Sequence, residues 1–173
     1  LYPVPGAITT STYYYPLEHL EEIGTWAADI APQLPKEVEL AMFCAPAPAA
    51  YAERCRSGNG FVCILTATAF LNTIVEAAVP LGLLESCPVL SHCLGKDVLQ
   101  PTPFNTLLDM GGRLWPEHHR YLVDTVWSNS PPAQPLSKVR ESFLQAASPK
   151  SLALSTFSTG ADEGAAVFPD AAS

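Results

Sequence analysis

Three consecutive tyrosines, Tyr13-Tyr14-Tyr15, and two short His/Cys groupings are the residues of this sequence best equipped for chemistry. Side chains alternate along a strand, so Tyr13 and Tyr15 share one face and Tyr14 takes the other. Two rings with hydroxyl tips on one face suit an aromatic or polyol ligand, although such a run also serves plain sheet packing. Cys87, His92 and Cys93 lie close in sequence, and His118-His119 follow. On a strand, His92 and Cys93 point to opposite faces; on a helix, His118 and His119 diverge by about 100°. Neither grouping converges on a metal ion, and no C-x-x-C or H-E-x-x-H spacing occurs, so no metal site is expected.

Other chemistries lack their motifs. No Gly-rich fingerprint opens a helix after a strand, there is no phosphate-binding G-x-x-x-x-G-K-[ST] loop, and no G-x-S-x-G elbow. Ser57-Gly58-Asn59-Gly60 precedes a strand-like run and reads as a turn. The acidic residues from Glu18 to Asp97 read as solvated faces rather than as a paired acid and base across a cleft. With 9 Lys and Arg against 17 Asp and Glu, the chain carries a formal charge of −8 and shows no basic stripe, which excludes nucleic acid and a polybasic membrane contact. No apolar run reaches the 18 or so residues that a membrane-spanning helix requires. The five cysteines, Cys44, Cys55, Cys63, Cys87 and Cys93, are irregularly spaced. They read as buried or half-buried free thiols of a reducing, cytoplasmic setting; one disulfide is also compatible with them, and the sequence does not place it.

The elements that position these residues follow from periodicity. Residues 8–15 are β-branched and aromatic, hence a strand. Pro16 closes it and opens a helix over 17–31, with Leu17, Leu20, Ile23, Trp26, Ala27 and Ile30 on its apolar face and Pro32 and Pro35 at its end. Residues 37–44 alternate as a half-buried strand, and 61–69 are apolar on both faces, as a central strand is. A helix over 71–79 follows, capped by Asn72, with Ile74, Val75 and Ala78 inward; residues 88–99 form a strand or irregular segment. Pro103 opens a short helix that stops at Gly111-Gly112, Pro116 opens one over 117–129, and Pro131-Pro132 breaks the chain. Ser137 caps a helix over 137–147, and 151–159 return to strand. The expectation is a single α+β domain over 1–173, an antiparallel sheet with helices mainly on one face and a ferredoxin-like βαββαβ start.

The opening Leu1-Tyr2-Pro3-Val4-Pro5-Gly6 has no initiator Met and no charged leader, and it reads as the start of an excised or processed piece. It is similar to the L-x-P-V-P segment by which berberine-bridge-type flavoproteins of the vanillyl alcohol oxidase superfamily enter their substrate domain. Trp26 followed by Pro35, Val38, Glu39 and Leu40 resembles that family's helix-to-strand passage. Gln100, Asp109, Gly112, Arg113, Trp115, Tyr121 and Leu122 resemble its Q…D…G-R-x-Y-W-K…F-L string, with Pro116-Glu117 where Trp-Lys is common. Residues 151–161 resemble the strand leading into G-G-A, with Thr159 in place of the first glycine.

The resemblance covers nearly the whole chain and implies the substrate-binding domain of an FAD-linked oxidoreductase. Such an enzyme oxidises a small aromatic, sugar or alcohol-type substrate by hydride transfer to flavin. FAD would belong to the flavin-binding domain of the same longer chain, the main partner, and this domain alone would bind no cofactor and be inactive. In the family, the sheet face away from the helices roofs the flavin. One alternating set from each strand then supplies the substrate-binding candidates: Tyr13, Tyr15, Met42 or Phe43, His92, and Thr156 or Ser158. No carboxylate stands near Thr156, where some members carry a catalytic group, so no catalytic base is assigned. Left uncovered, that face is expected to self-associate. The alternative is a stand-alone ferredoxin-like ligand-binding or dimerisation module.

Overall fold

The run of β-branched and aromatic residues at the start of the chain forms β1 (Ala7–Pro16). The computed structural model describes residues 4–114, 118, 130–148, 150–157 and 159. In it, β1 pairs along its whole length with β3 (Phe61–Leu71), from Ala7 opposite Leu71 to Pro16 opposite Val62. β2 (Val38–Pro46) pairs with the other side of β3, β5 (Ala153–Phe157) with β2, and β4 (Gly95–Pro101) with β1. Every pairing is antiparallel and the strand order is β4-β1-β3-β2-β5. β3 is thus central, which is why its sequence is apolar on both faces.

Helix α1 (Leu20–Ile30) joins β1 to β2, and α2 (Ile74–Gly82) leads from β3 toward β4. A 3-10 turn at Leu17–His19 precedes α1, and another at Ala31–Gln33 ends it around Pro32. Leu20, Ile23, Gly24, Ala27 and Ile30 are buried at helical spacing against the sheet, while Trp26 is only partly covered. The core lies between the sheet and α1, α2 and α4 (Ala133–Leu144). Each large apolar side chain fully covered there contributes roughly 1.5–3 kcal/mol. Gly24 lets α4 approach α1, since a Cβ at that position would collide with Leu136.

Several expectations are corrected. Thr73, not Asn72, caps α2: its Oγ1 accepts from Glu76 N–H at 3.2 Å, and the Glu76 carboxylate accepts from Asn72 N–H at 3.1 Å. The helix buries Ala77, Pro80 and Leu81 and leaves Ile74, Val75 and Val79 exposed. Its first two turns are apolar nearly all round, so periodicity alone could not choose the inward face. Helix α3 (Phe104–Leu114) runs through Gly111-Gly112, where a stop was expected. A helix stop of that kind needs a left-handed residue, and among the described residues only Gly60 is a glycine with positive φ. Pro131-Pro132 stand just ahead of α4, outside the helix, where proline's missing N–H costs nothing. Ser137 lies inside that helix, its hydroxyl donating to Gln134 O. The helix expected over 117–129 lies outside the described residues, apart from His118.

Two local devices hold the strands. The turn before β3 has Asn59 in the left-handed region at φ 56 and Gly60 at φ 79. Asn59 Nδ2 donates to Phe143 O and Ala146 O, both at 3.1 Å, tying the end of α4 to the sheet. In β4, the register shifts by one residue opposite Thr10–Thr12. Leu99 takes up this bulge at φ 53, and its N–H donates to Ser11 Oγ at 3.0 Å. The β4 carbonyls of Val98 and Gln100 accept from Gln100 Nε2 and Thr102 Oγ1, each at 2.9 Å.

Candidate functional site

The sheet face opposite α1, α2 and α4 is built from the even-numbered residues of β1 and β3 and the odd-numbered residues of β2. Register aligns them in rows. One row runs Gly95, Tyr14, Ile64, Phe43 and Leu154; the next runs Asp97, Thr12, Thr66, Ala41 and Thr156; a third runs Gln100, Thr10, Thr68 and Glu39. Threonine is at home here, since a β-branched residue fits a pleated surface. Its hydroxyls meet across strands, Thr10 with Thr68 at 3.2 Å and Thr12 with Thr66 at 3.4 Å. Thr12, Tyr14, Phe43, Ile64 and Thr66 are half-buried, and Glu39, Asp97, Leu154 and Thr156 are exposed.

The two ends of this face differ. At one end the 47–60 connection folds over it: Tyr51 meets Tyr14 with ring centroids 5.2 Å apart, and Cys55, Val62 and Leu94 form a small buried cluster beneath. Arg54 fastens the connection by donating to Leu94 O at 3.2 Å. Gly95 is required there, because a Cβ would collide with the Tyr51 hydroxyl. At the other end, Ile8 and Phe70 of the same face open into a groove of about 800 Å³ shared with Val4, Ile74, Pro101 and Phe104. Between the ends lie the paired hydroxyls. Burial raises the pKa of the Tyr14 phenol, and the Asp97 carboxylate and Tyr51 add to it, so Tyr14 is a neutral donor at physiological pH. The face offers hydroxyl hydrogen bonds and aromatic contact, with carboxylates only in its outer positions.

The structure sorts the expected site residues. Phe43 and Thr156 lie on this face. Tyr13, Tyr15 and Met42 do not: they are at most 1% exposed and sit under the helices. Alternation alone separates Tyr13 and Tyr15 from Tyr14 without saying which set the helices cover. The rings of Tyr13 and Tyr15 stack at 6.5 Å. Tyr13 donates to Glu85 Oε1 at 2.6 Å, and Lys96 Nζ holds both oxygens of the same carboxylate at 2.7 and 2.8 Å. Burial first, and then that carboxylate, pushes the Tyr13 pKa up. The Tyr15 hydroxyl lies near the Cys87 thiol and has no partner in hydrogen-bonding geometry among the described residues.

His92 is off the sheet, exposed at the end of a 3-10 turn, Leu90–His92, with its ring 4.5 Å from that of His19 at the start of α1. The chain ahead of β4 is too irregular there for strand alternation to apply. Ser158 lies outside the described residues.

Thr10, Thr12, Tyr14, Thr66 and Thr68 lie on this face outside the expected set of site residues, although the alternations T-T-S-T-Y-Y-Y and T-A-T-A carry them. Tyr51, in a loop, had no such signal. Among the described residues, no group of three or more His, Cys, Asp or Glu is placed to hold a metal ion, and no helix is long and apolar enough to cross a membrane. No protein-family model matches the chain, and no curated protein or solved structure matches it.

Proposed function

We propose that this chain is the substrate-binding domain of an FAD-dependent oxidoreductase, and that its open sheet face roofs the reaction chamber. The observation that carries the reading is the two-sidedness of the sheet. Helices α1, α2 and α4 pack on one side, and the other presents a middle strip of hydroxyls flanked by Tyr14, Ile64 and Phe43. This is the surface the family resemblance calls for: apolar enough to lie against a flavin ring, with fixed polar tips to orient a small aromatic, sugar or alcohol-type molecule. The flavin would be held by another part of a longer chain and would supply the electron sink. This domain would bind and orient substrate and exclude water. Thr12 and Thr66 would hydrogen-bond substrate hydroxyls, and Phe43 and Tyr14 would pack on its carbon skeleton.

The test is made on the whole polypeptide that contains this segment. Purified, it should carry the visible absorption band of flavin and lose it on reaction with substrate in the absence of oxygen. Thr66→Val and Phe43→Ala should raise KM or lower kcat with flavin content unchanged. A colourless polypeptide with no flavin after denaturation would overturn the reading. It would favour instead a stand-alone ferredoxin-like module that uses the same face for binding or pairing.

A further inference from the structure

β2 and β3 bring Cys44 directly opposite Cys63. Two backbone bonds that bracket this stretch fix the kind of pair it is. Phe70 N–H donates to Glu37 O at 2.9 Å, and Ala47 N–H donates to Gly60 O at 2.8 Å. Positions 37 and 47 are therefore hydrogen-bonded sites of the ladder. Such sites alternate with open ones, and the register from Val38 to Pro46 is unbroken, so position 44 is an open, non-hydrogen-bonded site. Opposed residues of that type hold their Cα atoms about 4.5 Å apart with side chains close together, inside the span a disulfide bridges. Both thiols point to the helix-covered side. Cys55 lies in the small cluster on the opposite face, and Cys87 and Cys93 belong to the connection ahead of β4, where no strand partner sets their spacing.

We infer that Cys44 and Cys63 form a disulfide when this chain folds in the presence of a disulfide oxidant, stapling β2 to β3 through the core. With oxidised glutathione as oxidant, one cysteine thiolate attacks its S–S bond and releases one glutathione thiol. The second cysteine then attacks the mixed disulfide and releases the other. Two cysteine S–H bonds are lost, one S–S bond forms, and two electrons and two protons end on two molecules of reduced glutathione.

Timing follows from burial. In the folded chain Cys44 is 3% exposed and Cys63 is fully covered. Burial pushes the Cys44 thiol up to about 12 and the Cys63 thiol well above its usual value, with Cys44 and Cys87 adding to the effect at Cys63. Only the thiolate attacks, so the folded, reduced pair is inert. The bond forms during folding, before α1 and α4 cover the strands, and is afterwards shielded from reductants.

The purified chain, unfolded and reduced, is refolded in a glutathione redox buffer, then unfolded in guanidinium chloride with N-ethylmaleimide present so that buried thiols are alkylated too, and digested with trypsin and a Glu-specific protease. That digestion puts Cys44 in residues 40–53, Cys55 in 55–56, Cys63 in 57–76, and Cys87 with Cys93 in 86–96. The expected product links 40–53 to 57–76, with the other three cysteines alkylated. Closing a loop of about 20 residues should raise Tm over the reduced form by on the order of 10 °C. The triple variant C55A/C87A/C93A leaves both cysteines in place and should keep the link and the Tm shift. Folded, reduced protein treated with the same buffer should gain the link far more slowly than the refolding chain. A link through Cys55, Cys87 or Cys93, no link at all, or loss of the link in the triple variant would each overturn the inference.

Discussion

Replacing Asn59 separates two things that one residue does at the turn before β3. Its side chain gives α4 two hydrogen bonds, one partly buried to Phe143 O and one exposed to Ala146 O. The first is worth about 1 kcal/mol and the second about 0.5 kcal/mol. Its backbone, at φ 56, tolerates asparagine or glycine but costs alanine about 1 kcal/mol. Asn59→Ala should therefore lose about 2.5 kcal/mol and Asn59→Gly about 1.5 kcal/mol, plus a few tenths for the looser unfolded chain. Urea unfolding reads both, as a lower midpoint at unchanged m. Hydrogen exchange adds location: amides in the last turn of α4 should lose protection in both variants, because Phe143, edge-on to Phe61 at 4.8 Å, is the side chain that the bonds keep in place. If Asn59→Gly unfolds within 0.5 kcal/mol of the parent while Asn59→Ala does not, the side-chain tether contributes nothing and the reasoning fails.

Other expectations follow from single contacts. Thr73→Ala should cost about 1 kcal/mol by uncapping α2, read in the same urea experiment; a neutral result would mean that the Glu76 carboxylate satisfies the helix start alone. Glu85 is held below the usual carboxylate value, first by Lys96 and then by Tyr13. A depressed carboxylate stabilises fully above its unfolded value of about 4.3 and loses that contribution as pH falls through the lower, folded value. Glu85→Gln should therefore flatten the stability–pH curve over that acidic window, and an unchanged slope would rule the contact out. The open face should drive self-association that grows with concentration, because Leu154 is 52% exposed beside half-buried Phe43. Sedimentation should show the association weakened in Leu154→Lys, and a parent that stays strictly monomeric at high concentration would refute it.

How far the sequence could be read varies with the kind of signal. Strands were legible wherever alternation was anchored by turn chemistry. The Ser57–Gly60 turn and the doubly apolar run after it located β3 and its central place. The inward face of α1 was legible because polar residues mark its other side. That of α2 was not, since Ile74, Val75, Ala77, Ala78 and Val79 offer apolar groups in every direction. The candidate site was half legible. Alternation separated Tyr14 from its neighbours, but the face it belongs to depends on where α1, α2 and α4 lie, and that is settled by tertiary packing alone. The hydroxyl pairs needed register between strands 50 or more residues apart, which no local pattern carries.

The bulge in β4 also decides how this sheet meets other chains. A sheet edge is ordinarily an invitation, with a row of free carbonyls and amides that an extended segment can copy. Here the left-handed backbone at Leu99 and the register shift beside it kink the row. A stranger approaching β4 would find the spacing wrong. The far edge, β5, is five residues long among the described residues and offers a short template there. Growth by strand addition, the common first step toward fibrils, is thus discouraged at both ends of the sheet, and contacts with other molecules are steered to its open face.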